Sequence, residues 1–263
     1  MEPLKAAMKL CCGGAGFARK NLEKFWKGDG LIMQTLLVYK DSYSELTKAA
    51  LEVLRNPDAT MQWYIIPIFL IFIYIVSKEL SEGHVQAVLA GAALWLVDIW
   101  NEIWNSYICA VSGHAPVWGT PPGSVEGVGL AGQSSAFNIL IGYNIEISIM
   151  FFIMGIASCL LLPKDKKAKI LGINNRVFYA CVMTTLAVCV ECFLNYANVL
   201  TWEWSFWQRS CPWILWIIGY LPFFSAAYYT YDRPTVKQSL KAVGCFAALD
   251  VVGIIVGICL NWI

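Results

Sequence analysis

With 58% hydrophobic residues and only 14% charged ones over 263 positions, the chain lies outside the range of water-soluble domains, in which about a quarter of residues are charged. Lys and Arg number 19 against 18 Asp and Glu, a net charge of +1, and no basic stripe rises above that background, which excludes a nucleic-acid partner. The 10 Cys are scattered through apolar stretches (Cys159, Cys181, Cys189, Cys245, Cys259), where a thiol acts as a small hydrophobe rather than as a disulfide scaffold.

Residues 1–60 are mixed and polar. Lys5 and Lys9 are followed by no adequate apolar core before Arg19 and Lys20, so the start does not read as a cleaved signal peptide. Cys11-Cys12 reads as free thiols rather than an acylation site. Within 31–54, apolar residues alternate with Lys40, Asp41, Glu45, Lys48 and Glu52, which predicts one or two amphipathic helices on or near a membrane surface. Asn56-Pro57-Asp58 ends this first domain.

The second domain, 61–263, holds apolar segments at 61–77, 84–110, 137–162, 174–200, 212–231 and 241–262. Each is close to the roughly 20 residues that cross a hydrocarbon core. The expected fold is all-α: a polytopic membrane bundle of about six transmembrane helices, multi-pass in the cell membrane, preceded by the amphipathic region. Pro67 makes the first segment the weakest and leaves a re-entrant segment open; Pro222 is expected to kink the fifth. Lys164, Lys166, Lys167, Lys169 and Arg176 follow the third segment, and Arg233, Lys237 and Lys241 follow the fifth. The positive-inside rule puts those loops in the cytoplasm and loop 111–136, loop 201–211 and both termini outside. Cys109 and Cys211, at outer ends of segments, are placed to form a disulfide in an oxidising compartment.

Asp98, Glu102, Glu146, Glu191 and Asp250 fall inside the segments. A charge at the bilayer centre costs about 2.5–3.5 kcal/mol, so such residues mark function. Counted along helices, Glu102, Glu146 and Glu191 lie at one depth, about 12–14 Å below the outer boundary, with Asp98 and Asp250 near ~18 Å. Asp98, Asn101, Glu102 and Asn105 share one helical face, with Trp95 a turn earlier and Trp100 and Trp104 pointing elsewhere. Glu191, Asn195 and Asn198 repeat the spacing. Asp250 shares a face with Gly253 and Gly257, a small-residue pattern that admits a close helix, so Asp250 faces protein. Asn144 and Glu146 are too close to both face inward, and Glu146 is the better candidate.

These residues predict a polar pocket in the outer leaflet. Trp202, Glu203, Trp204, Phe206 and Trp207 form its rim, and loop 111–136, with Pro116, Trp118, Pro121 and Pro122, caps it. No metal or cofactor is expected: His84 and His114 lie far from the acids, Cys189-x-x-Cys192 stands alone, and the glycines of 127–132 lack a following Lys. A hard divalent cation on the carboxylates stays open. Lys and Arg all sit outside the segments or at their edges, so the expected partner besides the lipid bilayer is a neutral or cationic lipophilic small molecule.

Buried carboxylates with Asn and Trp support acid–base chemistry on such a molecule, with Glu102 and Glu191 as proton donor and acceptor. Asp98, Glu146 and Asp250 support them, and Asn101, Asn105, Asn195, Trp95, Trp202 and Glu203 contact the substrate. From about residue 61 onward, the plan carried by Asp98-x-x-Asn101-Glu102, Glu191-x-x-x-Asn195 and Trp202-Glu203-Trp204 resembles the small membrane-embedded terpenoid and carotenoid cyclases and hydratases. That resemblance implies isomerisation, hydration or cyclisation of an isoprenoid. The alternatives are a proton- or cation-coupled transporter or channel, disfavoured by acids gathered in one leaflet, and a scaffold or assembly factor glued by polar residues.

Overall fold

A computed structural model describes residues 38–55, 63–120 and 138–263. The readings made for residues 1–37, for the Asn56-Pro57-Asp58 boundary and for the cap residues Pro121, Pro122 and 127–132 lie outside them.

The structure is an all-α membrane bundle. In chain order it contains α1 (Glu45–Val53), α2 (Ile65–Ser81), α3 (Val85–Ser112), a short antiparallel hairpin of β1 (Asn138–Leu140) and β2 (Tyr143–Asn144), and α4 (Ile145–Leu160). A second hairpin, β3 (Lys169–Ile170) with β4 (Ile173–Asn174), leads into α5 (Asn175–Tyr196). Then α6 (Pro212–Ile214) continues through a π-helical stretch (Leu215–Tyr220) into α7 (Leu221–Tyr231), and α8 (Val236–Leu260) closes the bundle.

Each expected segment carries a helix. Among the described residues, α3, α5 and α8 are long and apolar enough to cross a membrane, and α4 is a shorter apolar helix. Large apolar side chains lie on the outside, Ile66, Leu70, Tyr74, Leu186 and Phe193 among them, a surface that lipid covers and water would not.

Several boundaries differ from the sequence reading for local reasons. The third helix starts at Ile145, not 137, because Ile141-Gly142 turns the first hairpin and the Asn144 side chain caps α4 by accepting from Ile147 N. α5 stops at Tyr196, since Asn198 takes a left-handed conformation (φ 58°). Pro67 falls in the first turn of α2, where a missing N–H costs nothing, so this helix runs on unbroken. Pro222 does not simply kink its helix: the turns before it widen, and Leu221 N donates to Trp216 O, five residues back.

α3 is the hub, packing on α4, α7 and α8. Small residues let it: a Cβ added at Gly155 would lie 2.7 Å from Gly91 Cα, so α3 and α4 cross almost backbone to backbone. The Gly253 and Gly257 pattern likewise admits α3, as Cβ atoms there would meet Ile103, Trp100 and Tyr107. Tyr107 OH donates to Gly253 O.

Hydrogen bonds define two ends. At one, α1 packs on Cys109, Ala110 and Ile141 through Tyr43, Ala50, Leu51 and Leu54, Ser44 N donates to His114 O (3.0 Å), and Gly119 bridges to Thr201. At the other, Arg176 forks onto Asp232, with Nε at 2.8 Å and Nη2 at 2.9 Å from its oxygens. Gln86 Nε2 there donates to Arg233 O at 2.6 Å. The Lys- and Arg-rich loops gather at this second end.

Cys109 and Cys211 are both free thiols, which corrects the expected bridge. Cys109 is buried beside α1 in the last turn of α3, whereas Cys211 is the N-cap residue of α6. Cys259 departs from the reading of scattered free thiols, as it is disulfide-bonded.

Candidate functional site

The acids of α3 and α5 meet at a cavity of about 250 Å³ lined by α3, α4, α5 and the π-helical stretch. Its floor is Asp98, Asn101 and Glu102 from α3 and Glu191 from α5. Its walls are apolar, with Met150, Phe151 and Met154 from α4 and Met183, Leu186 and Val190 from α5. Trp118, Trp207 and Tyr220 add aromatic surface.

Glu102 is only 3% exposed and is held by donors. Trp118 Nε1 donates to its Oε1 at 2.6 Å, and Asn105 Nδ2 reaches its Oε2 at 3.5 Å. Gly142, in the turn of the first hairpin, lies against the same carboxylate; a Cβ there would stand 2.6 Å from Glu102 Oε2 and 2.9 Å from Trp118 Cδ1. This position therefore takes no side chain without displacing the acid. Asp98 is 3% exposed, and its Oδ2 has no hydrogen-bond partner among the described residues. The same holds for Glu191 Oε2, although the Tyr220 hydroxyl approaches that carboxyl group. The π-helical turn is what delivers Tyr220 and Gly219 to this wall, ahead of Pro222.

The remaining candidates lie elsewhere. Asn105 is turned onto the chain of Val117 and Trp118 and does not line the cavity. Glu146 is in the first turn of α4, where a carboxylate suits the helix dipole, and accepts from Tyr64 OH at 2.6 Å; the later start of α4 moves it away from the floor. Asn195 Nδ2 donates to Leu200 O at 3.0 Å, closing the end of α5. Asn198 lies beyond the helix, so the expected three-residue face ends at Asn195.

Trp95 Nε1 donates to Tyr143 OH (2.6 Å) and Ser148 Oγ (2.7 Å), tying α3 to the hairpin and α4. Trp202 packs in the aromatic cluster of Trp118 and Trp207 rather than in the cavity lining. Glu203 accepts from Ser44 Oγ at 2.9 Å, which anchors the start of α1, and it lies outside the cavity lining. Asp250, 4% exposed, is buried against protein as expected; it lies outside the cavity lining, and neither of its oxygens has a partner among the described residues.

The lining residues that escaped the sequence reading as site residues include Gly142, Tyr220 and Trp118, the last read only as part of a cap. Trp104, expected to point away, donates to Asn101 Oδ1 at 2.8 Å and meets Trp118 edge-on at 4.9 Å between ring centroids. At the opposite end, Glu79, Glu82 and His84 bring their ligand atoms within 4.8 Å of one another, a set able to hold an ion. Lys78 already pairs with both carboxylates there, at 3.0 and 3.1 Å.

Fold and site thus define an integral membrane helical bundle with a buried, acid-floored cavity. The chain belongs to the uncharacterized membrane protein family, whose match spans residues 44–259 and so takes in α1 as well as the bundle. An uncharacterized protein of Archaeoglobus fulgidus is 43% identical over 221 residues, covering 84% of this chain and 99% of that protein. A second, short protein from the same organism is 40% identical over 53 residues, covering 20% of this chain and 95% of that protein. No solved structure matches the chain. Neither the family nor these relatives carry a terpenoid cyclase or hydratase name.

Proposed function

We propose that this protein is a multi-pass enzyme of the cell membrane that performs acid–base chemistry on a lipophilic, isoprenoid-like substrate, through residues 61–263, with 1–60 lying along the membrane surface. The observation that carries this reading is the placing of Glu102 and Glu191, from two different helices, in one cavity whose walls are hydrocarbon. One carboxyl group gives a proton to an alkene or epoxide and the other carboxylate takes one from a neighbouring carbon. Isomerisation then leaves the substrate's formula unchanged, and the proton passes back between the acids through Asp98 before the next turnover. Positive charge developing on the substrate is met by the faces of Trp118, Trp207 and Tyr220. Asn101 orients the floor, while Asn105, Trp95 and Glu203 act through the structure around it.

The test compares lipid extracts of membranes carrying the native chain, Glu102→Gln or Glu191→Gln. A lipophilic species converted by the native chain should persist in both variants, with rates down by about 10²- to 10⁴-fold. Conversion at the native rate by either variant, with the protein intact in the membrane, rejects the assignment.

A further inference from the structure

Charge and opening together specify what the cavity receives. Asp98, Glu102 and Glu191 line it, and among the described residues no Lys, Arg or His does. Asp98 is 3% exposed, and among the described residues neither its Oδ2 nor Glu191 Oε2 has a donor. A buried carboxylate oxygen without a partner is costly, so a positive group arriving there is favoured. An anionic headgroup would find no charged donor.

Aromatic faces point the same way. Trp118 and Trp207 lie with ring centroids 5.1 Å apart at a 31° tilt, and Tyr220 stands beside Glu191; aromatic faces attract cations, most strongly where water is excluded.

The opening is lateral. α5 packs on the π-helical stretch and α7 rather than closing on α4. Met150, Leu186 and Val190 consequently line the cavity while remaining 48%, 56% and 56% exposed on the lipid-facing side.

We propose that the site takes a lipophilic cation: one positive charge seated between Asp98 and Glu191 under the Trp118–Trp207 pair, with its hydrocarbon chain running out between α4 and α5 past Met150, Leu186 and Val190. This deepens the preceding reading by naming the ligand class, and it rests on that reading's lipophilic cavity but not on turnover. The charge is either carried by a resident amine or ammonium ligand or develops on the substrate during reaction.

Full-length protein in phosphatidylcholine nanodiscs is titrated with decyltrimethylammonium, decanol and decyl sulfate below their micellar concentrations, following the fluorescence of the lining tryptophans. The ammonium should bind saturably, at least tenfold tighter than decanol, with no saturable response to the sulfate. Asp98→Asn and Glu191→Gln should each weaken ammonium binding at least tenfold, and Glu45→Gln, an exposed side chain of α1, should not. Glu191 lies on a separate helix, so its variant decides the matter if Asp98→Asn does not fold. Equal binding of alcohol and ammonium, or native affinity in the folded acid variants, overturns the proposal whatever the turnover assay gives. Conversely, charge-selective binding with unchanged conversion by Glu102→Gln and Glu191→Gln rejects the catalytic reading and keeps this one. Native conversion slowed competitively by the ammonium supports a charge developed in the reaction; binding with no effect on conversion supports a resident cation.

Discussion

Asn105 is fully buried, and both ends of its carboxamide are committed to the loop after α3. Oδ1 accepts from Val117 N at 2.7 Å and Nδ2 donates to Trp118 O at 2.8 Å. That loop in turn presents the Trp118 indole to Glu102, so a residue one turn along the helix from the acid fixes the acid's main donor. Asn105→Ala would strand a buried amide and a carbonyl, at a cost of about 1–3 kcal/mol, measurable by equilibrium unfolding in mild detergent. The same variant should lower conversion, because Trp118 is no longer held against Glu102. The sequence placed Asn105 on the right face, since helical spacing fixes direction. It could not show that the partner is backbone 12 residues further along, because that contact depends on how the loop folds back. Glu203 illustrates the same limit: its place among tryptophans reads as a ligand rim, yet its partners Ser44 and Thr47 lie more than 150 positions away.

At the scale of the elements, the α3–α4 crossing carries the most consequence for the site. Gly91 and Gly155 allow a contact that brings Asp98 and Glu102 opposite the apolar wall of α4. Gly155→Val would push the helices apart, as even a Cβ there would stand 2.7 Å from the Gly91 backbone. We expect a loss of about 1–3 kcal/mol, read as a lower midpoint in thermal unfolding, with widening of the cavity seen as weaker ligand binding. The segments themselves were legible because hydrophobic runs report helices directly. The π-helical turn was not: the sequence announces Pro222, but whether a helix answers a proline with a kink or with a wider turn is settled by what packs around it. Glu146 was misplaced because a three-residue strand and its turn occupy what hydropathy counts as helix.

For the whole molecule, the two ends differ in how they are held. The basic end is fastened by Arg176 and Asp232, whose side chains are 14% and 18% exposed. Burial alone would raise the Asp232 carboxyl, but the hydrogen bonds and charge of Arg176, with Lys166 nearby, hold it below the usual aspartate range. Because the folded-state value is the lower one, the contribution is full above the unfolded value near ~3.9 and is lost as pH falls through the folded-state value. Unfolding midpoints measured from about pH 6 down to about pH 3 should fall more steeply for the native chain than for Asp232→Asn. At neutral pH that variant should be less stable by about 1.5–3 kcal/mol.

A gap between α4 and α5 that faces hydrocarbon has a consequence for concentration. On the proposed lateral route the cavity equilibrates with the bilayer and not with the cytosol, so a ligand's occupancy follows its mole fraction in lipid. Each added buried methylene is worth about 0.8 kcal/mol of transfer from water, so affinities in aqueous units rise with chain length without any new contact to the protein. Affinities expressed per lipid remove that contribution and leave the share owed to the acids and the aromatic rings.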